Sequence, residues 1–357
     1  MADPRVEAYA RLLVERSLDV QPGWQVIVRS SPLARPLLEA IAGCLARRGA
    51  HMLTRLSYAS IQSAWVSEVS EALLEAVAPV EMHMWETADA LISIDAPENT
   101  RERASIPPER RVLLAKAGRT IHRRVMSGEM PWVGCQFPTP ALAQDAGMSL
   151  IAFEDFLYSA CLLDWDEQGR QMRRVADRFD QASLVRIVGE GTDLTVSLEG
   201  RLAMVDDGHR NMPGGEVFYC PLEDSADGVI SYAEFPAVYG GQMVEGVRLR
   251  FRQGQVVEAS ARSGEEFLLK MLATDPGASR LGELGIGCNP GIQRHMKNTL
   301  FDEKIYGTVH LAVGNGFPFG GGTNVSSVHW DMVKELRNGG QIYCDGELVQ
   351  ANGRWMF

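Results

Sequence analysis

The side chains with the most chemical potential fall in the second half of the chain. Glu216 follows a Pro-Gly-Gly turn and opens an apolar strand in GGEVF, where an acid is either a solvated edge residue or a ligand. Glu283, in LGELGIG, has Leu281 and Leu284 near it, glycines on both sides and no cation nearby in sequence. A carboxylate in apolar surroundings is costly unless it is paired or bound to a metal; the plain alternative is a turn or helix-capping acid. His310 sits inside the apolar run TVHLAV, where a lone histidine is usually a satisfied core residue, and Glu303 lies in the turn before that run. His329 and Asp331, two apart in SSVHWDMV, point to one face if the stretch is extended. Trp330 between them then faces the other way, into the core.

Two histidines and several acids in one domain suit divalent metals, because imidazole and carboxylate both ligate them. If Glu216, Glu283, Glu303 and Asp331 converge around the two imidazoles, the carboxylates repel and raise one another's pKa. Two divalent cations cancel the charge of the four carboxylates. Such a pair, roughly 3.5–4 Å apart with one carboxylate shared, activates water for attack on a polarised carbonyl. Hydrolysis is the chemistry these residues predict. The patterns H-E-x-x-H, G-x-x-x-x-G-K-[ST] and G-x-S-x-G are absent. Two Gly-rich pieces, GIGCNPG (285–291) and GNGFPFGGG (314–322), miss the dinucleotide spacing G-x-G-x-x-G, and tight turns account for their glycines. His51, His83, His122 and His209 read as bland, whereas His295 follows the LGE motif closely. Arg201, ending LEGR, is a weak candidate for a carboxylate or substrate partner.

The elements that must hold these residues change in texture along the chain. Residues 24–30 (WQVIVRS) form an apolar, β-branched run that ends at a Ser-Ser-Pro helix start. Residues 35–48 place apolar side chains at helical spacing, and Gly49 stops the helix. Further strands are expected at 51–57, 89–96 and 132–137. Strand–helix–strand units of this length predict right-handed crossovers and an open parallel α/β sheet. Residues 147–180 read as helical; from 184 onward, LVRIVGEGTDLTVSLEG alternates apolar and polar residues between glycine turns, as antiparallel strands do. Strand-like pieces continue at 216–219, 228–235, 245–251 and 254–261, followed by a helix at 264–274. The expected fold is α/β, with an N-terminal open parallel-sheet α/β domain (1–180) and a C-terminal mixed, largely antiparallel α+β metal-binding domain (181–357).

Composition narrows the partners. At 357 residues the chain exceeds what one core usually organises. Hydrophobic residues make up 45% and charged residues 23%, which excludes a disordered chain. With Lys+Arg 35 against Asp+Glu 46, the net charge of −11 disfavours nucleic acid and anionic membranes. No apolar run approaches the ~20 residues that span a bilayer. The start interleaves acids and bases where a signal peptide needs an apolar stretch. Six scattered cysteines without a C-x-x-C pair fit a reduced, cytoplasmic protein.

The motifs GTDLTVSLEGR, NMPGGEVF, DGVI, LGELGIG, LFDEK…GTVHLAVG and SSVHWDMV, in this order, resemble the thermophilic aminopeptidase family of metallopeptidases, of the aminopeptidase T and S type. The resemblance runs from about residue 147 to the end and is weaker before it. It implies a homodimer whose C-terminal domain carries two divalent ions (zinc, cobalt, manganese or magnesium) and whose substrate is a peptide with a free N-terminus. It also implies metal-ligand roles for Glu216, Glu283, Glu303, His310, His329 and Asp331, with Glu283 bridging the metals; in the aminopeptidase reading a carboxylate such as Glu283 takes the proton of the attacking water as general base. At Glu303 the interval to the next histidine is two residues longer than in typical members. Where typical members carry a tyrosine seven residues after the first metal histidine, this chain has Phe317, which cannot donate to an oxyanion; Tyr306 and Tyr343 are the alternatives. Losing one such donor removes ~10²–10³ in rate. The first domain is expected to shape the cleft or the dimer. Two other readings compete with the aminopeptidase. One is an iron-dependent ring-cleaving dioxygenase of the dihydroxypyridine type using His310, His329 and Asp331. The other is a non-catalytic metal-binding homologue.

Overall fold

A computed structural model describes residues 3–102 and 106–357, which divide into two compact units. The first runs to Leu162 and takes in Gly208–Pro213; the second comprises Leu163–Asp207 and Gly214–Phe357.

The first unit is built on a five-stranded sheet in the order His51–Leu56, Gln25–Ser30, Ala90–Asp95, Trp132–Gln136, Asn211–Met212, parallel throughout. Its second strand buries Val26, Ile27 and Val28 completely. Such a continuous apolar run is what a parallel strand covered on both faces requires. The helix Arg35–Arg47 links it to its neighbour, with Leu37, Ile41 and Leu45 buried at intervals of four residues. Gly49, at φ 71°, ends the helix in a conformation that glycine adopts without strain. The open parallel α/β sheet expected from the sequence is therefore present.

The second unit contains two large antiparallel sheets and the two-stranded hairpin Ala237–Tyr239 with Gln242–Val244. Eight strands order as Gln255–Ser260, Val247–Arg252, Asp227–Tyr232, Thr192–Ser197, Leu184–Gly189, Gln341–Cys344, Glu347–Ala351 and Arg354–Trp355. Five more order as His329–Lys334, Val309–Gly314, Leu281–Gly287, Glu216–Tyr219 and Met204–Asp206. Val185, Ile187, Leu194, Ile230 and Leu249 of the larger sheet share one core with Val217, Leu284, Ile286, Leu311 and Trp330 of the smaller.

The helical stretch read at 147–180 is two helices, Leu150–Cys161 and Trp165–Asp180, and the Asp164 carboxylate caps the second by accepting the Asp166 and Glu167 N–H groups. Sequence texture put the boundary near 180, whereas the division falls at Leu162/Leu163. Met172, Val175, Ala176 and Phe179 of the intervening helix pack into the core of the second unit, and the Tyr219 hydroxyl donates to Ala176 O at 3.2 Å. A polar, Arg-rich helix surface reads the same whichever unit it covers, so sequence alone cannot assign it.

Candidate metal centre

The five-stranded sheet separates an apolar face from a polar one by the two-residue alternation of strands. Leu284 and Ile286, Val309, Leu311 and Val313, Trp330 and Met332, and Val217 and Tyr219 point into the core. Glu283, His310, His329, Asp331 and Glu216 take the other face. Register keeps that face open: His310 pairs with Gly285, Glu216 with Gly287, Asp331 with Ala312 and His329 with Gly314, so each large polar side chain faces a small residue on the neighbouring strand. Gly285 is indispensable here, because a Cβ on it would stand 2.0 Å from the His310 ring.

All six residues singled out in the sequence meet on this face. His310 Nε2 lies 3.1 Å from Glu283 Oε1 and 3.4 Å from Glu216 Oε2. His329 Nε2 lies 3.3 Å from Glu283 Oε2 and 3.5 Å from Asp331 Oδ2. Glu283 thus spans both imidazoles, one oxygen to each. It sits in the middle of a wholly buried strand, so its reading as a turn or capping acid is set aside. Glu303 caps the short helix Thr299–Asp302 and groups with His310 and Asp331. Potential ligand atoms of three triads lie within 4.8 Å of one another: Glu216, Glu283 and His310; Glu283, His329 and Asp331; and Glu303, His310 and Asp331. His329 Nδ1 donates to Asn315 O at 2.9 Å, which orients the ring and leaves Nε2, on the carboxylate side, as the nitrogen a metal would take. Trp330 faces the opposite way and packs against Tyr239 and Phe267, with ring centroids 5.5 and 5.9 Å away.

Two residues that sequence reasoning passed over complete the cluster. Lys304 is fully buried, with Nζ 2.9 Å from Glu216 Oε1, 3.7 Å from Asp206 Oδ2 and in contact with Glu303. It lies in the quoted LFDEK motif, but a lysine beside two acids reads as a solvated turn. Asp206 reaches the site only because its strand pairs with that of Glu216. Charge cancels between these two newcomers, so the balance rests with the four carboxylates and the two imidazoles.

Burial and mutual repulsion hold the Glu216 and Glu303 carboxyls above their usual range against the pull of Lys304. Burial raises Asp331 to about 6, although His329 opposes it. Burial disfavours charge on Glu283 too, yet hydrogen bonds with His310 and His329 bring it down to about 2. Conversely, burial works against protonation of the imidazoles, but Glu283 and its neighbouring acids raise His310 to about 9 and His329 to about 10. Glu216 Oε2, Asp331 Oδ1 and His310 Nδ1 are buried without a hydrogen bond. Orphaned buried donor atoms in a ring of carboxylates and imidazoles fit divalent cations, which supply charge and coordination together.

Other candidates are placed elsewhere. His295 stacks on Phe235 at 5.0 Å and pairs with Asp302 at 3.2 Å. Arg201 pairs with Glu223 at 2.9 Å. The Tyr343 hydroxyl donates to Gln341 Oε1 on the larger sheet, away from the ligand face. Phe317 is beside the cluster, its ring 5.0 Å from that of His329.

Comparison with known proteins gives a family match described as thermophilic metalloprotease (M29), covering residues 2–355, the first half included. Aminopeptidase 2 of Geobacillus stearothermophilus is 30% identical over a 416-residue alignment that covers 99% of this chain and 98% of that protein. Aminopeptidase AmpS of Bacillus subtilis is 28% identical over 413 residues with the same coverage. The solved structure of wild-type AmpT from Thermus thermophilus has the same fold, with a TM-score of 0.83 at 24% identity and 99% of each chain covered.

Proposed function

This chain belongs to the thermophilic metalloprotease (M29) family, and from that premise we propose that it works as a metalloaminopeptidase with a dinuclear centre on the ligand face. It is a hydrolase acting on peptides, and the dioxygenase reading is not favoured. The observation that carries the dinuclear reading is the shared carboxylate: Glu216–Glu283–His310 and Glu283–His329–Asp331 are two ligand triads with Glu283 in common.

Bound there, divalent ions polarise a peptide carbonyl and acidify a water. The rest falls to the protein. Glu216, Glu283, Glu303, His310, His329 and Asp331 would hold the ions, and Glu283, common to two of the triads, would take up the proton that hydrolysis releases. Asn315 fixes the His329 ring through Nδ1. Lys304 holds Glu216 and Glu303 in place from behind. Carboxylate and imidazole donors accept zinc, cobalt, manganese and magnesium alike, so the metal follows supply and geometry.

We further propose a cytoplasmic homodimer. The six cysteines are buried and unpaired, as a reducing compartment would keep them. No helix among the described residues is long and apolar enough to cross a membrane.

The test uses metal-stripped protein reloaded with cobalt, zinc or manganese. Free-amine release from a leucyl dipeptide, and none from its N-acetylated twin, is the expected result. Metal analysis should give two ions per chain, and light scattering a dimer mass. Cleavage of the blocked peptide refutes the exopeptidase assignment, and a single bound ion at full activity refutes the dinuclear centre.

A further inference from the structure

The loop joining the His310 strand to the His329 strand carries apolar rings, and the structure straps it down far more firmly than a surface turn needs. Phe317 N–H donates to Cys220 Sγ at 3.2 Å. Thr323 N–H donates to Glu223 Oε1 at 2.6 Å, and Glu223 is held by Arg201. Asn324 Nδ2 donates to Gly277 O at 2.9 Å and to Gly314 O at 2.5 Å. Asp275 accepts from Ser326 Oγ at 3.1 Å, Ser327 N at 2.9 Å and Ser327 Oγ at 2.8 Å.

What this loop presents is an aromatic surface against a metal-ligand candidate. Phe317 tilts over His329 at 5.0 Å and stacks on Phe319 at 5.3 Å. Its other side meets Phe218 edge-on at 5.9 Å. Phe218 follows Glu216 by two residues on one strand and so shares the ligand face. Three phenyl rings therefore form a continuous wall from the ligand cluster outward, ending at Phe319, which is 61% exposed. Arg201 and Glu223, which help to hold the loop, are spent on each other, at 10% and 24% side-chain exposure.

We propose that this wall of Phe218, Phe317 and Phe319 receives the side chain of the substrate's N-terminal residue and selects bulky apolar and aromatic first residues. The inference rests on the aminopeptidase reading. A peptide whose α-amino group and first carbonyl both sit at the ligand cluster carries its first side chain one bond from that centre, within reach of the ring over His329. A rigid apolar wall rewards each buried methylene and leaves the ammonium or carboxylate of a charged side chain unpaired. Phe317, in place of the family's tyrosine, makes the wall apolar throughout.

The experiment pairs catalysis with binding on the metal-loaded protein. The readouts are kcat/KM for Phe-, Leu-, Ala-, Lys- and Asp-headed dipeptides, and calorimetric binding of phenylalaninamide, leucinamide and glycinamide. We expect Phe and Leu to lead Ala by about 10–10²-fold, the range a hydrophobic pocket provides for one to a few methylenes. Phe319→Ser, at an exposed position that tolerates change, should compress the Phe-to-Ala ratio by roughly tenfold, and Phe317→Leu should shift preference from aromatic to aliphatic heads. Equal rates across heads, or a Phe319→Ser ratio identical to the parent's, would overturn the wall. If no dipeptide is cut, the hydrolytic reading fails separately: amide binding that favours phenylalaninamide and weakens in Phe319→Ser upholds the wall, and binding indifferent to the side chain overturns it.

Discussion

Replacing Lys304 by methionine should destabilise the metal-free protein strongly and the metal-loaded protein little. The lysine is completely buried, 2.9 Å from Glu216 and 3.7 Å from Asp206, and it also touches Glu303. Methionine fills similar volume, so the perturbation is electrical rather than steric. Removing one partner of a buried ion pair leaves an uncompensated charge worth about 3–5 kcal/mol. For a domain of this size each kcal/mol moves Tm by about 2–4 °C, so the stripped variant should melt roughly 6–20 °C below stripped parent protein. Divalent cations supply the missing positive charge at the same carboxylates, and mass action adds the binding energy on top. The gap between stripped and loaded Tm should therefore be wider in the variant than in the parent. Differential scanning calorimetry of the four samples measures it directly. A stripped variant as stable as the stripped parent refutes the claim that Lys304 is the counterion of this cluster; equal losses with and without metal refute the claim that cations act on the same carboxylates.

Three further outcomes follow from the same geometry. In metal-stripped protein His310 and His329 have folded-state values raised to about 9 and about 10, above the ordinary 6.5; their stabilisation is fully present below 6.5 and lost as pH climbs through 9–10. Metal must displace these protons, so affinity in a chelator competition should rise over the same window, and a pH-independent affinity would contradict the arrangement. Gly285→Ala puts a methyl group 2.0 Å from the His310 ring, and should cost about 1–3 kcal/mol in stability and release at least one ion by metal analysis; retention of both would show that the ring has room. Phe317→Tyr places a phenol beside His329, and should raise kcat by up to about 10² if it reaches the oxyanion; an unchanged kcat would mean that another donor already serves.

The chemistry was more legible than the boundaries. The strands at 24–30 and 89–96 were readable because burial on both faces leaves nearly continuous apolar runs, and they lie at Gln25–Ser30 and Ala90–Asp95; the readings at 51–57 and 132–137 correspond to His51–Leu56, an edge strand with no buried residue, and Trp132–Gln136. His329 and Asp331 were readable as a pair because their spacing matches the strand period, and the strand His329–Lys334 is extended as required. Glu283 was ambiguous for a physical reason: glycines on both sides signal a turn locally. Here they make room: Gly282 for the Gly314 and Asn315 carbonyls, which would lie 2.5 Å from a Cβ at 282, and Gly285 for the His310 ring. Lys304 and Asp206 were invisible because their partnership is set by strand pairing and by the Thr299–Asp302 turn, far apart in sequence. The family resemblance read from residue 147 onward extends through the first half as well.

The sheet that carries the site also explains how the protein tolerates it. The crowded acids of the site, Glu216 and Glu283 buried and Glu303 and Asp331 half-buried, work against folding, and the face that bears them contributes little apolar burial. The stabilising burial comes from the reverse face, where Val217, Tyr219, Leu284, Ile286, Leu311, Trp330 and Met332 are almost wholly removed from water. At about 1.5–3 kcal/mol for each fully buried large side chain, these seven supply on the order of 10–20 kcal/mol before entropy is set against them. Because strand side chains alternate, core and site are fixed by one register: a slip of one residue would send Trp330 toward solvent and His329 and Asp331 into the core. Selection for a packed reverse face therefore holds the ligands in place as well. That coupling predicts that Trp330→Ala lowers metal affinity along with stability, though Trp330 packs in the core on the reverse face; a variant with depressed Tm and parental metal affinity would show that register is held by something other than this core.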